Sequence, residues 1–225
     1  TKGEPVFGRD ADERLAAVLA AWTATGERAD LVLLTGDLAD DGSADGCARL
    51  AEAVARLDAP VLAIPGNHDR PAVVASMWDG PRTASVGEWL VAGIDTTVPG
   101  EVHGDIDVPA VMAWLDTLDR GPMILALHHP PMSRSTADEF RLDGAAELLA
   151  ALAERPHVRA VVGGHLHDAV DLEAPSGLAV LGCPSTIVGI THDGDRMEIG
   201  GSAITGARVL TLDDDGTFTS RILQA

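Results

Sequence analysis

Aromatic residues are scarce in this 225-residue chain: they make up 3% of it, and tyrosine is absent altogether. A surface that stacks nucleobases, or an interface built on aromatic anchors, therefore has little support. Cysteine is also rare, with Cys47 and Cys183 as its two occurrences. Two cysteines with small or apolar neighbours predict buried or incidental thiols rather than a disulfide framework, so a cytoplasmic location is expected.

Basic residues are few as well, with 16 Lys and Arg against 35 Asp and Glu, which gives a formal charge of −19. Such a charge repels a polyphosphate backbone and disfavours long nucleic acids as partners. No apolar run approaches the roughly 20 residues that cross a bilayer, and we expect no signal segment and no membrane partner. With 46% hydrophobic and 23% charged residues, the chain predicts a single domain over 1–225.

Helical and strand patterns alternate along the sequence. This alternation predicts an α/β fold, a layered β-sandwich flanked by helices, whose last strands pair antiparallel because no helix separates them. The Gly-rich stretch 187–206 is expected to be a long loop, and a lid, an interface element and disorder remain open for it. Helices are expected from Asp10 and through Leu50, Val111 and Leu148, and strands at 31–34, 61–64, 89–94, 123–127, 158–162, 178–181, 209–212 and 218–223.

Polar residues follow the apolar strands at four points. Five of the eight histidines lie in three short clusters, each directly after a strand, and a carboxylate and a carboxamide follow two strands in the same way. Because such strand ends gather at one sheet edge, these side chains are expected to converge. Their mixed N/O ligand set suits divalent Mn, Fe or Zn. The candidates are Asp37, Asn67, His68, His128, His129, His165 and His167.

Each residue type has a chemical use in such a site. The two oxygens of Asp37 can bridge two cations about 3.5–4 Å apart. Asn67 adds an oxygen ligand without negative charge. His165 and His167 are one residue apart, so in an extended segment they would share a side and reach adjacent ions. Taken singly, each motif has an ordinary alternative as a turn, a helix cap or a satisfied core histidine.

Four motifs occur in order along the sequence: Gly36-Asp37, Gly66-Asn67-His68-Asp69, His128 and Gly164-His165-Leu166-His167. Together they resemble the motifs of the calcineurin-like metallophosphoesterase superfamily. Within it, the sequence is most similar to bacterial class III cyclic-nucleotide phosphodiesterases. That closer similarity lies in the segments 34–40, 95–100 and 127–131, and the resemblance as a whole extends from about Asp10 to Cys183.

The resemblance implies a role for each matched residue. Asp37 is the bridging carboxylate. His68 is the catalytic residue outside the metal shell, where it stabilises the transition state or protonates the leaving oxygen. Two further residues, Asp69 and His129, orient the ligands. The remaining ligands are Asn67, His128 and His165 for one ion and His167 for the other.

The sequence departs from the family pattern at one point. Family members carry a strand ending in Asp-x-His that supplies two ligands to the ion shared with His167, and no histidine lies between Thr1 and Arg9. Since Thr1 is not a methionine, we expect that this strand precedes the sequence given. A natural one-metal or inactive relative is the alternative.

The resemblance implies hydrolysis of small phosphodiesters, with cyclic nucleotides foremost, by a metal-activated hydroxide. Two alternatives remain open on the same residues. One is a phosphomonoesterase, because the ligand set does not distinguish one ester from two. The other is a metal-poor, non-catalytic binding module. The sequence also allows the protein to form a homodimer.

Overall fold

A computed structural model describes residues 5–80, 82–118, 121–201 and 203–225. The helices are α1 Ala11–Thr25, α2 Ala44–Val54, α3 Pro71–Met77, α4 Val108–Leu115 and α5 Ala145–Ala153, with 3₁₀ turns at Ala55–Leu57 and Asp138–Phe140. The strands are β1 Val32–Leu34, β2 Val61–Ala63, β3 Thr83–Val86, β4 Trp89–Ile94, β5 Gly104–Asp105, β6 Met123–Leu127, β7 Leu142–Asp143, β8 Val158–Gly163, β9 Asp171–Glu173, β10 Ala179–Gly182, β11 Ile190–Asp193, β12 Arg196–Ile199, β13 Gly206–Leu212 and β14 Phe218–Gln224.

The first helix begins where its capping residue predicts. The Asp10 side chain accepts a hydrogen bond from the Glu13 N–H over 3.0 Å, which satisfies one of the free amides of the first turn. Gly26 ends the helix in the left-handed conformation at φ 72°. Asp10 is therefore engaged as a helix cap.

A six-stranded sheet forms the centre of the fold, in the order β3-β4-β6-β8-β10-β9. The four inner strands run parallel, and the two edge strands are antiparallel to their neighbours. Strand β6 is buried along its whole length. This explains its continuous apolar sequence, because a parallel strand covered on both faces has no polar side.

Both faces of the central sheet are covered. One face packs against α4 and α5 through a cluster that includes Leu115, Leu125 and Leu148. The other face packs against two further sheets, the parallel pair β1-β2 and the antiparallel pair β13-β14. The predicted layered α/β fold with antiparallel C-terminal strands is thus confirmed, and it brings the ends of β1, β2, β6 and β8 together.

The stretch 187–206 contains a β-hairpin of β11 and β12, which the sequence did not predict. Its tip docks on the chain that follows β6, because the Thr136 N–H donates to the Gly194 carbonyl and the Gly194 N–H donates to the Arg134 carbonyl, over 2.8 and 3.1 Å. Helix α3 and the short strands β3, β5, β7 and β9 also went unpredicted. Among the described residues, no helix is both long and apolar enough to span a bilayer.

Candidate metal centre

Three predicted site residues from three different loops meet directly. His128 Nε2 lies 3.1 Å from Asn67 Oδ1 and 3.4 Å from Asp37 Oδ2. His128 follows β6, Asn67 follows β2 and Asp37 follows β1. The side chain of His128 is 1% exposed and that of Asp37 is 19% exposed, so the group lies at the floor of the site.

The orientation of His128 is set by its other ring nitrogen. Nδ1 donates to the Thr35 carbonyl over 2.7 Å, and a carbonyl can only accept. In the neutral ring this bond leaves a lone pair on Nε2, which faces the two oxygens. Three electron-pair donors then converge with no proton between them. Such an arrangement of imidazole, carboxylate and carboxamide fits a divalent cation.

The proximity of His128 and Asp37 shifts the pKa of both side chains. Burial favours the neutral form of His128, but the hydrogen bond and charge of Asp37 prevail and raise the pKa of the imidazole. Burial likewise opposes ionisation of Asp37, yet His128 and the His68 N–H hold the pKa of this carboxyl well below its usual range. Asp37 is therefore a carboxylate at neutral pH, and a proton on His128 occupies the position that a cation would take.

His165 lies against His128. Their ring centroids are 5.0 Å apart, and the His165 ring is 4.5 Å from that of His129. Burial, followed by the charges of His128 and His129, lowers the pKa of His165 to about 2. The ring is thus neutral and has a lone pair to offer a metal ion.

His167 is half-buried, and its Nδ1, which is itself buried, has no hydrogen-bond partner among the described residues. Burial lowers its pKa, against an opposing effect of the Asp37 charge. The segment that carries His165 and His167 is not extended. Both adopt left-handed backbone conformations, at φ 61° and φ 51°, because the chain turns sharply after β8.

His68 lies on the solvent side of this group. Its backbone N–H donates to Asp37 Oδ1 over 3.0 Å, while its side chain is 47% exposed. The ring Nδ1 donates to the Asp40 carbonyl over 3.1 Å. The imidazole is therefore tied to the Asp37 loop and is partly open to solvent.

Asp69 joins the two loops that carry Asp37 and Asn67. Its carboxylate accepts from the N–H groups of Leu38, Ala39 and Gly66 at 2.9 to 3.1 Å. Burial raises the pKa of this carboxyl, and the three N–H groups oppose that effect. All three donors are backbone N–H groups, so the Asp69 carboxylate fixes the conformation of both loops.

His129 belongs to a compact group in which His128, His129 and His165 have ring nitrogens within 4.8 Å of one another. Both nitrogens of His129 are engaged, since Nε2 donates to the Val102 carbonyl over 3.0 Å and Nδ1 pairs with the Thr96 hydroxyl over 2.8 Å. Burial lowers its pKa to about 4. A neutral ring with both nitrogens occupied supports its neighbours and has no free lone pair.

Two glycines allow the loops to approach so closely. A Cβ atom on Gly36 would overlap the His128 ring, and one on Gly66 would overlap the Asp37 carboxylate. Gly36 also has φ 97°, which residues with a side chain rarely adopt. The Gly-Asp and Gly-Asn-His spacing in the sequence thus has a steric cause.

Thr35 and Thr96 were missed as site residues by the sequence reasoning. Thr35 directly follows β1, and Thr96 follows β4 after one residue, so both lie at the end of a strand, as the predicted residues do. Position after a strand could have identified them. Their bonds to His128 and His129 could not have been predicted without the fold.

Comparison with known proteins agrees with this geometry. The sequence profile of the calcineurin-like phosphoesterase family matches residues 9–169. The chain is 34% identical to the 3′,5′-cyclic adenosine monophosphate phosphodiesterase CpdA of Escherichia coli K12, over 98% of this chain and 84% of that protein. It is 30% identical to a 3′,5′-cyclic-nucleotide phosphodiesterase of Nostoc sp. PCC 7120, over 86% of this chain and 76% of that protein.

One solved structure shows the same fold. A dimetal phosphatase from Danio rerio superposes with a TM-score of 0.63, over 95% of this chain and 89% of that chain, at 15% identity. The profile match and the 34% identity decide the family, because each covers well over half of the chain. The chain belongs to the calcineurin-like phosphoesterase family, and it is therefore a hydrolase that resembles the bacterial cyclic-nucleotide phosphodiesterases.

Proposed function

We propose that this protein hydrolyses small phosphodiesters, with cyclic nucleotides foremost, at a divalent metal centre. The observation that carries the proposal is the convergence of His128 Nε2 on Asn67 Oδ1 and Asp37 Oδ2, at 3.1 and 3.4 Å. The two relatives named above are phosphodiesterases of cyclic nucleotides. The proposed ligands are Asp37, Asn67, His128, His165 and His167.

The ligands divide unequally between two metal positions. Asp37, Asn67, His128 and His165 supply four donors to one position, which is enough for a closed N/O site. The second position receives only Asp37 and His167 from the described residues. We therefore expect the chain of 225 residues to bind one ion tightly and a second weakly, with Mn, Fe or Zn as the metals that suit these donors.

Metal ions in these positions would neutralise phosphoryl oxygens and lower the pKa of a water molecule that attacks phosphorus. The protein's own groups would do the rest. His68, half-exposed beside Asp37, would donate a proton to the leaving oxygen or a hydrogen bond to the charge that develops on phosphorus. Asp69 and His129 would hold the ligand loops and rings in place through the bonds described above.

The charge of the chain favours a small substrate. A formal charge of −19 repels long polyanions, whereas a single phosphodiester can reach a cationic centre inside an acidic surface. A cyclic nucleotide carries one negative charge and one phosphodiester group. A cyclic nucleotide can therefore approach the proposed metal centre, whereas a polynucleotide is repelled by the acidic surface.

Parallel assays test the proposal. With saturating Mn²⁺, the protein should hydrolyse 3′,5′-cyclic AMP and bis-p-nitrophenyl phosphate at least about tenfold faster than p-nitrophenyl phosphate, and the Asp37→Asn variant should lose most of this activity. Faster turnover of the monoester would show a phosphomonoesterase instead. A well-folded protein that turns over none of the three substrates would support the non-catalytic binding module.

A further inference from the structure

The β11-β12 hairpin contributes a buried histidine that has no part in the proposed reaction. Residues of β11 alternate between buried and exposed, so that Ile190 and His192 face the interior while Thr191 and Asp193 face solvent. His192 is 7% exposed. A histidine is an unusual choice for an inward position unless its polar atoms are used.

His192 makes its polar contact with the segment 164–167, the metal loop, which carries His165 and His167. Its Nε2 donates to the carbonyl of Leu166 over 2.9 Å. Leu166 lies between His165 and His167 in the sequence, so the hairpin holds the Leu166–His167 peptide, one of the two that join these proposed ligands. The second ring nitrogen, Nδ1, has no hydrogen-bond partner among the described residues. The bond to Leu166 is thus the polar contact found for this buried ring.

Two more contacts join the same elements. The backbone N–H of Ile190 donates to the carbonyl of His167 over 3.0 Å. The Phe140 ring makes edge contacts with both His165 and His192, at centroid distances of 5.3 and 5.0 Å. The hairpin therefore contacts the loop at two successive carbonyls and, through Phe140, at one ligand ring.

The loop needs such support because of its backbone. His165 and His167 both have positive φ values, a region that residues with a Cβ atom adopt at a cost in free energy. Such a conformation persists only where surrounding groups hold it. Within the loop itself, the Leu166 N–H donates to the Gly164 carbonyl over 2.6 Å, which closes a tight turn but leaves the Leu166 carbonyl to an outside donor.

We infer that His192 is a positioning residue of the metal centre: it donates to the Leu166 carbonyl and so keeps His165 and His167 in the conformation that binds metal. The inference rests on the proposed function, since it takes both histidines to be ligands. It also assigns a role to the stretch 187–206, because the β11-β12 hairpin holds the metal loop through hydrogen bonds to the carbonyls of Leu166 and His167. A change at His192 should then alter metal binding without removing any ligand.

Three variants of the full chain separate this role from simple packing. Gln at position 192 can place an amide N–H near the position of Nε2, so His192→Gln keeps the donor. His192→Leu keeps a buried side chain of similar size and removes the donor. Thr191→Val changes the adjacent, exposed residue of the same strand and serves as the control. Mn²⁺ affinity by calorimetry and the visible spectrum of bound Co²⁺ are measured for each.

We expect His192→Leu to weaken the tightest Mn²⁺ site about 10- to 100-fold, the effect typical of lost support around a ligand, and to shift the Co²⁺ spectrum. His192→Gln should stay within about threefold of the original protein, and Thr191→Val should match it. Unchanged Mn²⁺ affinity in a folded His192→Leu variant would overturn the inference. Equal loss in the Gln and Leu variants would also overturn it, because the hydrogen bond would not be the cause.

A measurement on the unmodified protein covers the case in which His192→Leu fails to fold. Zn²⁺ binding should slow hydrogen exchange of the Ile190 amide, because its acceptor His167 becomes fixed, while the amide of Thr191, which pairs with Glu198 within the hairpin, serves as the internal reference. No slowing at Ile190 in a Zn²⁺-loaded protein would overturn the inference. Failure of the unmodified chain to bind Mn²⁺ or Zn²⁺ at all would instead contradict the proposed function.

Discussion

His128 Nδ1 donates to the carbonyl of Thr35 over 2.7 Å, and the two residues are 93 positions apart in the chain. This bond connects the end of β6 to the end of β1, in two different sheets. It also fixes which ring nitrogen of His128 faces Asp37 and Asn67. The backbone of one layer of the sandwich thus aims a histidine of the other layer at the proposed metal position.

Asn67 and His68 are adjacent, yet their substitution should have different effects. Asn67→Ala removes an oxygen donor and should lower both metal content and activity. His68→Ala should leave metal content nearly intact and reduce turnover about 10²- to 10⁴-fold, as expected for a lost proton donor. Elemental analysis and steady-state kinetics on both purified variants measure the two effects. Equal metal loss in both would show that His68 has a different role.

Asp69→Asn should destabilise the fold as well as the site. The amide of Asn cannot accept from three backbone N–H groups as the carboxylate does. We expect the free energy of unfolding to fall by about 1.5–3 kcal/mol, measured by urea denaturation of the metal-free protein. Asp45→Asn is the matched control, because Asp45 pairs with Arg49 on the surface and should contribute less than about 1 kcal/mol. Similar losses for the two variants would argue against the loop-joining role of Asp69.

Thr96→Val removes the hydroxyl that pairs with His129 Nδ1 at nearly constant volume. The His129 ring would keep its bond to Val102 and lose its second constraint, which should reduce Mn²⁺ affinity or kcat/KM about 10- to 100-fold. Thr97→Val is the control, since the Thr97 hydroxyl donates to the exposed Asp95 instead. Unaltered metal binding and kinetics in Thr96→Val would show that His129 needs no such support.

The Asp37–His128 pair should make the stability of the metal-free protein depend on pH. The lowered pKa of Asp37 gives stability that is present above its ordinary pKa of 3.8 and is lost as pH falls. The raised pKa of His128 gives stability that is fully present below 6.5 and is lost as pH rises through the raised value. The pair should therefore contribute most between these two pH values.

Urea denaturation in a chelator measures this contribution as the difference between the original protein and Asp37→Asn. The difference should be larger at about pH 5.5 and should fall as pH rises through the raised pKa of His128, where the ring loses its proton. A difference that stays constant or grows with pH would contradict the assigned charges.

The sequence predicted the architecture well where periodicity is strong. The apolar run of β6 and the capping residue Asp10 each identify their element, because a strand buried on both faces and a helix start leave clear patterns. The hairpin at 190–199 left only a weak pattern. Both of its strands are four residues long, and β12 is exposed along its length, so its short polar–apolar alternation marks no buried face.

The site was predictable by residue type but not by contact. Polar residues after strands mark Asp37, Asn67 and the histidines as candidates, whereas their partners are side chains and backbone atoms far away in the sequence. His192 shows the limit most clearly, since its role depends on the carbonyl of Leu166, 26 residues earlier. The left-handed conformations of His165 and His167 could not be predicted for a related reason, because the sharp turn after β8 depends on tertiary contacts.

The most direct test of the account is a crystal structure with Mn²⁺, with the metal located by its anomalous scattering. We expect a strong peak about 2.0–2.2 Å from donor atoms of Asp37, Asn67, His128 and His165, and a weaker peak beside Asp37 and His167. A strongest peak that lies elsewhere, or that lacks Asp37 and His128 among its ligands, would contradict it.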